Sequence, residues 1–251
     1  MYSVTQRIKQ ITQPRGGYLK PKDFSVTVLD DKVTLNPLEN IHPTLMGLVV
    51  DYLTRYATGA PLKKAFFISL LGAECIDQMD IAKELLEEIT GLDDSSIRNA
   101  CKLTGYDVCC RAGVEKYYPI ERINPDSDTI YNIKTMVHRS VSFMNQYGPV
   151  IRDGFTFTGG YTALVSSGDG DFLTEDTLWD FKVSKYKPTC AHTLQLLIYY
   201  LMGKHSIYPE FQDIEQIGIF NPRLNHVYQL KVSQISADVI QTVSKDVIGY
   251  S

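Results

Sequence analysis

Asp171, Asp180 and Lys182 are the residues of this chain whose types and spacing best support chemistry. They belong to the stretch Gly168-Asp-Gly-Asp-Phe-Leu-Thr-Glu-Asp-Thr-Leu-Trp-Asp-Phe-Lys182, in which apolar and polar residues alternate on either side of Thr174-Glu175-Asp176-Thr177. That pattern predicts two strands joined by a tight turn. Folding about the Glu175–Asp176 midpoint sets Leu173 against Leu178, Phe172 against Trp179 and Asp171 against Asp180. Lys182, two residues beyond Asp180, leaves the same face. Opposed carboxylates repel unless something neutralises them. A divalent cation would do so, and would also polarise a phosphate and lower the pKa of bound water. Mg2+ or Mn2+ takes oxygen ligands, typically one or two carboxylates completed by water and substrate phosphate. Asp171 and Asp180 offer those carboxylates, and the Phe181 carbonyl a third protein oxygen. Lys182 would then orient the attacking water or stabilise developing negative charge. A plainer reading stands beside this one: a surface hairpin with an ordinary Asp180–Lys182 ion pair.

A second set of residues follows on a helix. His192, Gln195 and Tyr199 lie at i, i+3 and i+7, on one face roughly opposite the stripe Leu194, Leu197, Ile198 and Leu201. Gln and Tyr offer neutral hydrogen-bonding groups that suit a phosphate or base near a metal. The bland alternatives are a buried tyrosine with a satisfied hydroxyl and an exposed helical histidine. Further on, Phe220-Asn-Pro-Arg-Leu-Asn-His-Val-Tyr228 reads as strand, turn and strand. Arg223 there could bind phosphate bidentately. With Lys185, Lys187 and Lys204 it would form a local positive patch for nucleic acid, or else the four residues only stabilise a turn and solubilise the surface.

The elements that must position these groups divide by period. Residues 24–36 alternate around Asp30-Asp31 and predict a small hairpin. Pro43 to Ala57 predicts a helix with the stripe Leu45, Leu48, Val49, Tyr52, Leu53 and Tyr56, ended by Gly59 and Pro61. Residues 62–113 read as helices broken at Gly91 and Gly105, with N-cap candidates in Asp93-Asp94-Ser95. A long helix is expected from Asp126 to Tyr147. From Phe155 the period falls to two, and strands are expected at 155–158, 161–165, the hairpin, 214–220 and 227–232. The helix Pro188–Gly203 sits among them, giving the order β-β-β-α-β-β. The expected organisation is an N-terminal segment with its hairpin over 1–40, a helical lobe over 41–150 and an α/β core over 151–251.

Composition bounds the function classes. The chain has 251 residues, 44% hydrophobic and 22% charged, enough for a full core. No apolar run approaches the roughly 18–20 residues that span a bilayer. MYSVTQRIKQ lacks a signal-peptide apolar core. Five irregularly spaced cysteines fit free thiols in a reducing cytoplasm. A net charge of −4 gives no global field for nucleic acid, so such binding would rely on local cations and a metal. No Walker P-loop is present.

Gly168-x-x-Asp171, Asp180-x-Lys182 and Gln195-x-x-x-Tyr199, in order on strand, strand and helix, resemble the PD-(D/E)XK nuclease superfamily, specifically its RecB-like branch. The resemblance covers about residues 155–230. It implies a restriction-endonuclease-like core: a mixed central sheet flanked by helices. It implies Asp171, Asp180, Lys182, Gln195 and Tyr199 as catalytic residues. The branch also carries an upstream helix with a small residue followed by a metal ligand. The best match is Gly47-Leu-Val-Val-Asp51, with Asp where the family usually has His, and more than 100 residues before Asp171. Asp51 reads equally as a solvated helix aspartate, and Glu74 and Glu87 are weaker substitutes. Relatives that hold a [4Fe–4S] cluster use three cysteines after the Gln-x-x-x-Tyr helix. This chain has none after Cys190, so the expected cofactor is Mg2+ or Mn2+ without an iron–sulfur cluster. The resemblance therefore implies a metal-dependent deoxyribonuclease from phage, mobile-element or defence biology. Its partner would be DNA, with a protein partner or homo-oligomer also open. Two rival readings stand: a catalytically silent nuclease-fold module that binds nucleic acid or protein, and a regulator whose function lies in residues 40–150.

Overall fold

The computed structural model describes residues 1–250 and is an α/β protein. The chain opens with strand β1 (Tyr2–Ser3), helix α1 (Val4–Gln10) and strand β2 (Ser25–Val28). Helices α2 (Pro43–Ala57), α3 (Leu62–Ala65), α4 (Phe67–Glu74) and α5 (Met79–Glu87) follow, then α6 (Asp94–Thr104), α7 (Asp107–Arg111) and α8 (Ser127–Tyr147). Strands β3 (Arg152–Thr156), β4 (Val165–Ser167), β5 (Asp169–Leu173) and β6 (Thr177–Phe181) lead into helix α9 (Cys190–Lys204). Strands β7 (Gln216–Asn221) and β8 (His226–Lys231) and helix α10 (Ala237–Thr242) complete the order. Two compact units result: residues 1–29 with those from 144 onward, and residues 30–143.

In the first unit six strands form one mixed sheet in the order β2-β8-β7-β6-β5-β3, antiparallel except for the central β6–β7 pair. A parallel pair needs a crossover, and α9 supplies it. Leu194, Leu197 and Ile198 of α9 share a buried core with Leu173, Leu178, Ile217 and Ile219. Side chains alternate along a strand, so Asp171 and Asp180 share the α9-facing side with Leu173 and Leu178. On the opposite side Trp179 lies across Gly218, its registered partner on β7; a Cβ there would overlap the indole ring. The Trp179 Nε1–H donates to Thr174 Oγ1 at 3.0 Å, and Tyr147 meets the ring edge-on at 5.5 Å. This packing fixes the strand that carries Asp180. β1 pairs with β4 in a separate two-stranded sheet, and from residue 151 on four strands, β3 to β6, rather than three precede α9.

The hairpin expected over 24–36 does not form. Ser25–Val28 pairs instead with β8, in register Val26 to Tyr228, and residues 30–36 belong to the helical unit. Arg139 of α8 explains this: its guanidinium donates to both Asp31 carboxylate oxygens at 2.6 and 2.9 Å and to the Val33 carbonyl at 2.7 Å. Asn132 adds a reciprocal pair with the Asn36 backbone. A buried polar comb on α8 thus outcompetes local strand pairing for this segment. The N-terminal residues 1–29 pack into the sheet unit rather than standing as a separate segment, with Val4, Ile8, Leu19 and Phe24 in its core.

Within the helical unit, Pro43–Ala57 appears as expected, and Asp93 caps α6 by accepting from the Ser95 and Ser96 amides. Asp107 is buried and accepts from the Tyr52 and Ser69 hydroxyls, each at 2.5 Å, and from Arg111 Nε at 3.2 Å. Leu45 and Leu48, expected in the core, are only half-buried, because they line a cavity. No helix among the described residues is long and apolar enough to cross a membrane.

Candidate metal centre

The hairpin arithmetic holds where the pairing is apolar: Phe172 faces Trp179 and Leu173 faces Leu178. The ladder stops before the two aspartates. Asp171 instead turns one carboxylate oxygen onto the Phe181 backbone, whose N–H donates to it at 2.6 Å. In an extended strand the N–H and C=O of one residue point to the same edge. The Phe181 carbonyl therefore also points toward the β5 edge.

Asp180 is 1% exposed. Its Oδ1 accepts from Lys182 Nζ at 2.9 Å, while Oδ2 is buried without a hydrogen-bond partner. Burial raises the Asp180 pKa to about 6; Lys182 pulls it down and Asp171 raises it again. Burial works against the Lys182 ammonium, but Asp180 and Asp171 more than offset this and hold its pKa above the ordinary lysine value. The plain alternative of a surface ion pair does not describe this arrangement, because the carboxylate is enclosed.

Tyr199 and Gln195 lie on the α9 face over the sheet, both buried. Gln195 Nε2 donates to the Tyr199 hydroxyl at 2.8 Å. Burial raises the Tyr199 pKa, with Gln195 opposing and Asp180 and Asp171 adding to it, so the phenol stays neutral. Its ring packs on Phe157 at 5.0 Å. Gly168 has a steric reason to be glycine: a Cβ there would sit 2.8 Å from Val4 Cγ2 and 3.4 Å from the Tyr199 ring. His192 caps its own helix, its Nδ1 accepting from the Thr189 N–H at 3.2 Å. Burial and then Lys182 lower its pKa, leaving a neutral imidazole.

Asn221 was legible only as a turn residue, yet it positions the segment after Lys182. Its Nδ2 donates to the Ser184 carbonyl at 2.8 Å, and its Oδ1 accepts from the Arg223 amide at 3.0 Å. Lys185 and Lys187 are exposed and Arg223 is half-buried. Lys204 is engaged within the fold, donating to the Gln212 carbonyl at 2.8 Å. Asp51 lies in the helical unit and accepts from Arg55 Nε at 2.9 Å, an i, i+4 pair. Among the described residues no group of three or more His, Cys, Asp or Glu side chains is gathered to hold a metal. The donors at the centre are therefore two carboxylates and a main-chain carbonyl. Oxygen donors of this kind fit a hard divalent ion, and Asp180 Oδ2 is buried without a hydrogen-bond partner. Comparison with protein-family models, curated proteins and solved structures gave no match.

Proposed function

We propose that this chain is a divalent-metal-dependent nuclease with a restriction-endonuclease-like core, hydrolysing phosphodiester bonds in DNA. The observation that carries the reading is the enclosed Asp180 carboxylate: one oxygen on Lys182, the other buried without a partner, and Asp171 beside it. Asp171, Asp180 and the Phe181 carbonyl would hold Mg2+ or Mn2+. When bound, the ion would polarise the phosphate and make its coordinated water a nucleophile at neutral pH.

The chain's own residues do the rest. Lys182, kept cationic by its neighbours, acts as a water-positioning and charge-offsetting group rather than as a base. Gln195 donates to the Tyr199 oxygen, which leaves the phenol hydrogen to be given to a phosphate oxygen. Lys185 and Lys187, between Lys182 and α9, and Arg223, after β7, would supply cations for the DNA backbone against a net charge of −4.

A silent nuclease-fold module that binds DNA or a protein partner is the second reading, favoured by the absence of a third acidic ligand among the described residues. The discriminating experiment incubates plasmid and linear duplex DNA with Mg2+ or Mn2+, and separately with EDTA, using wild type and Lys182→Ala. The nuclease reading expects cleavage by wild type alone and only with metal. Equal cleavage by both proteins overturns the role of Lys182. No cleavage of either DNA by either protein favours the silent module.

A further inference from the structure

The helical unit holds a cavity of about 660 Å³ among the N-terminal half of α2, the α6–α7 junction and the turns at Val114–Lys116 and Ile120–Arg122. That volume lies within the range of small-molecule sites. Leu45, Leu48, Val108 and Ile123 give it an apolar lining. Three cations also line it: Arg111, Lys116 and Arg122. The Arg122 guanidinium lies over the ring of Tyr118 at 5.9 Å, and Tyr118 is 52% exposed.

The polar groups in the wall are largely committed. Asp107, the one carboxylate among the lining residues, accepts from Tyr52, Ser69 and Arg111. The Asn40 side chain bonds Asn124, Asp126 and Thr129, and the Thr104 hydroxyl donates to Ala100. His42 Nδ1 accepts from the Thr44 amide. A ligand with a hydrogen-bonding edge, such as a nucleobase, would leave that edge unpaired here. An apolar body would not. The surplus of cations over available carboxylates selects the other end of the ligand.

We propose that the helical unit binds a small apolar anion, an aliphatic or aromatic body in the cavity with its carboxylate or phosphate head on Lys116 and Arg122. The cavity residues belong to the helical unit and Asp171, Asp180 and Lys182 to the sheet unit, and the test below does not depend on nuclease activity.

The test is calorimetric titration of the full chain with decanoate, with decanol as the neutral arm and adenosine monophosphate as the polar-bodied arm. Expected is saturable one-to-one binding of decanoate, weaker binding of decanol and no binding of the nucleotide. The Lys116→Gln/Arg122→Gln double variant, both positions exposed, should weaken decanoate by about tenfold, the worth of one charge-assisted hydrogen bond. Leu48→Trp fills the cavity and should abolish binding, with circular dichroism reporting the fold. If that variant unfolds, Val108→Trp replaces it. No saturable decanoate binding, equal affinity for decanol, or affinity unchanged in both the charge and the filling variants overturns the proposal. Tighter binding of the nucleotide than of decanoate does so too.

Discussion

Replacing Lys182 with Met in the metal-free protein should destabilise it in a strongly pH-dependent way. The Asp180 pKa is raised on folding from 3.8 to about 6. Its carboxylate therefore costs stability at neutral pH, and the cost fades as the pH falls through about 6. Lys182 limits this cost by holding the buried carboxylate in its charged form. Without Lys182, Asp180 stays protonated in the fold, and each pH unit above about 6 adds about 1.4 kcal/mol of destabilisation relative to wild type. The added penalty reaches about 2 kcal/mol near pH 7.5 and vanishes near pH 5, where both proteins fold with a neutral Asp180. Lys182 itself stays cationic throughout that interval, so its own desolvation and packing enter only as a constant offset. Trp179, the single tryptophan, sits beside Asp180 on β6 and reports unfolding by fluorescence. Urea titrations in EDTA at the two pH values give the two differences. A destabilisation of equal size at both, or a larger one at the lower pH, refutes the reasoning that Lys182 holds a buried carboxylate ionised.

Gly218→Val pushes a side chain into the space of the Trp179 ring and should cost about 1–3 kcal/mol in urea titrations; a variant as stable as wild type contradicts the packing described for β6. Tyr199→Phe keeps the contact with Phe157 but loses the hydroxyl that Gln195 bonds. DNA cleavage should fall about a hundredfold, as for loss of a positioned donor, while stability changes by only about 1 kcal/mol. Unchanged cleavage removes the phenol from the mechanism. Arg139→Met releases Asp31 and the Val33 carbonyl, so amide exchange should accelerate across residues 31–36. The Arg139 hydrogen bonds hold the Asp31 pKa below its ordinary value. The stability they contribute is therefore present at neutral pH and lost as the pH falls through the carboxylate range, so wild type and variant should converge in acid.

Local period made much of this fold legible. Pro43–Ala57 combines a proline at the first helical position with regularly spaced apolar residues, and its observed bounds match. The register of β5 on β6 followed from a hairpin whose two apolar pairs are both buried, where a one-residue slip would turn Phe172 and Leu173 to the wrong faces. Interactions between residues distant in sequence were not legible. Nothing near Asp31 announces Arg139, 108 residues away, and without it Val26 to Leu35 reads as a hairpin. The pairing of β2 with β8 joins segments about 200 residues apart and leaves no mark in either alternation pattern. At the candidate centre, spacing proposed Asp171, Asp180 and Lys182 as neighbours. It could not convey the contact of the Asp171 carboxylate with the Phe181 amide, because a side-chain bond to the neighbouring strand's backbone leaves no mark in an alternation pattern. The asparagine that holds the chain after Lys182, Asn221, carries the same letters as any turn residue. Leu45 and Leu48 show the converse limit: an apolar stripe lining a cavity has the same spacing as one filling a core.

Every part of the nuclease reading depends on one property, the capacity of Asp171 and Asp180 to bind a divalent ion together. Calorimetric titration of wild type and Asp180→Asn with Mn2+ near neutral pH measures it directly. The account predicts one saturable site in wild type that Asp180→Asn loses, with the variant still folded. Absence of a saturable site in wild type, or a site that Asp180→Asn leaves unchanged, contradicts it.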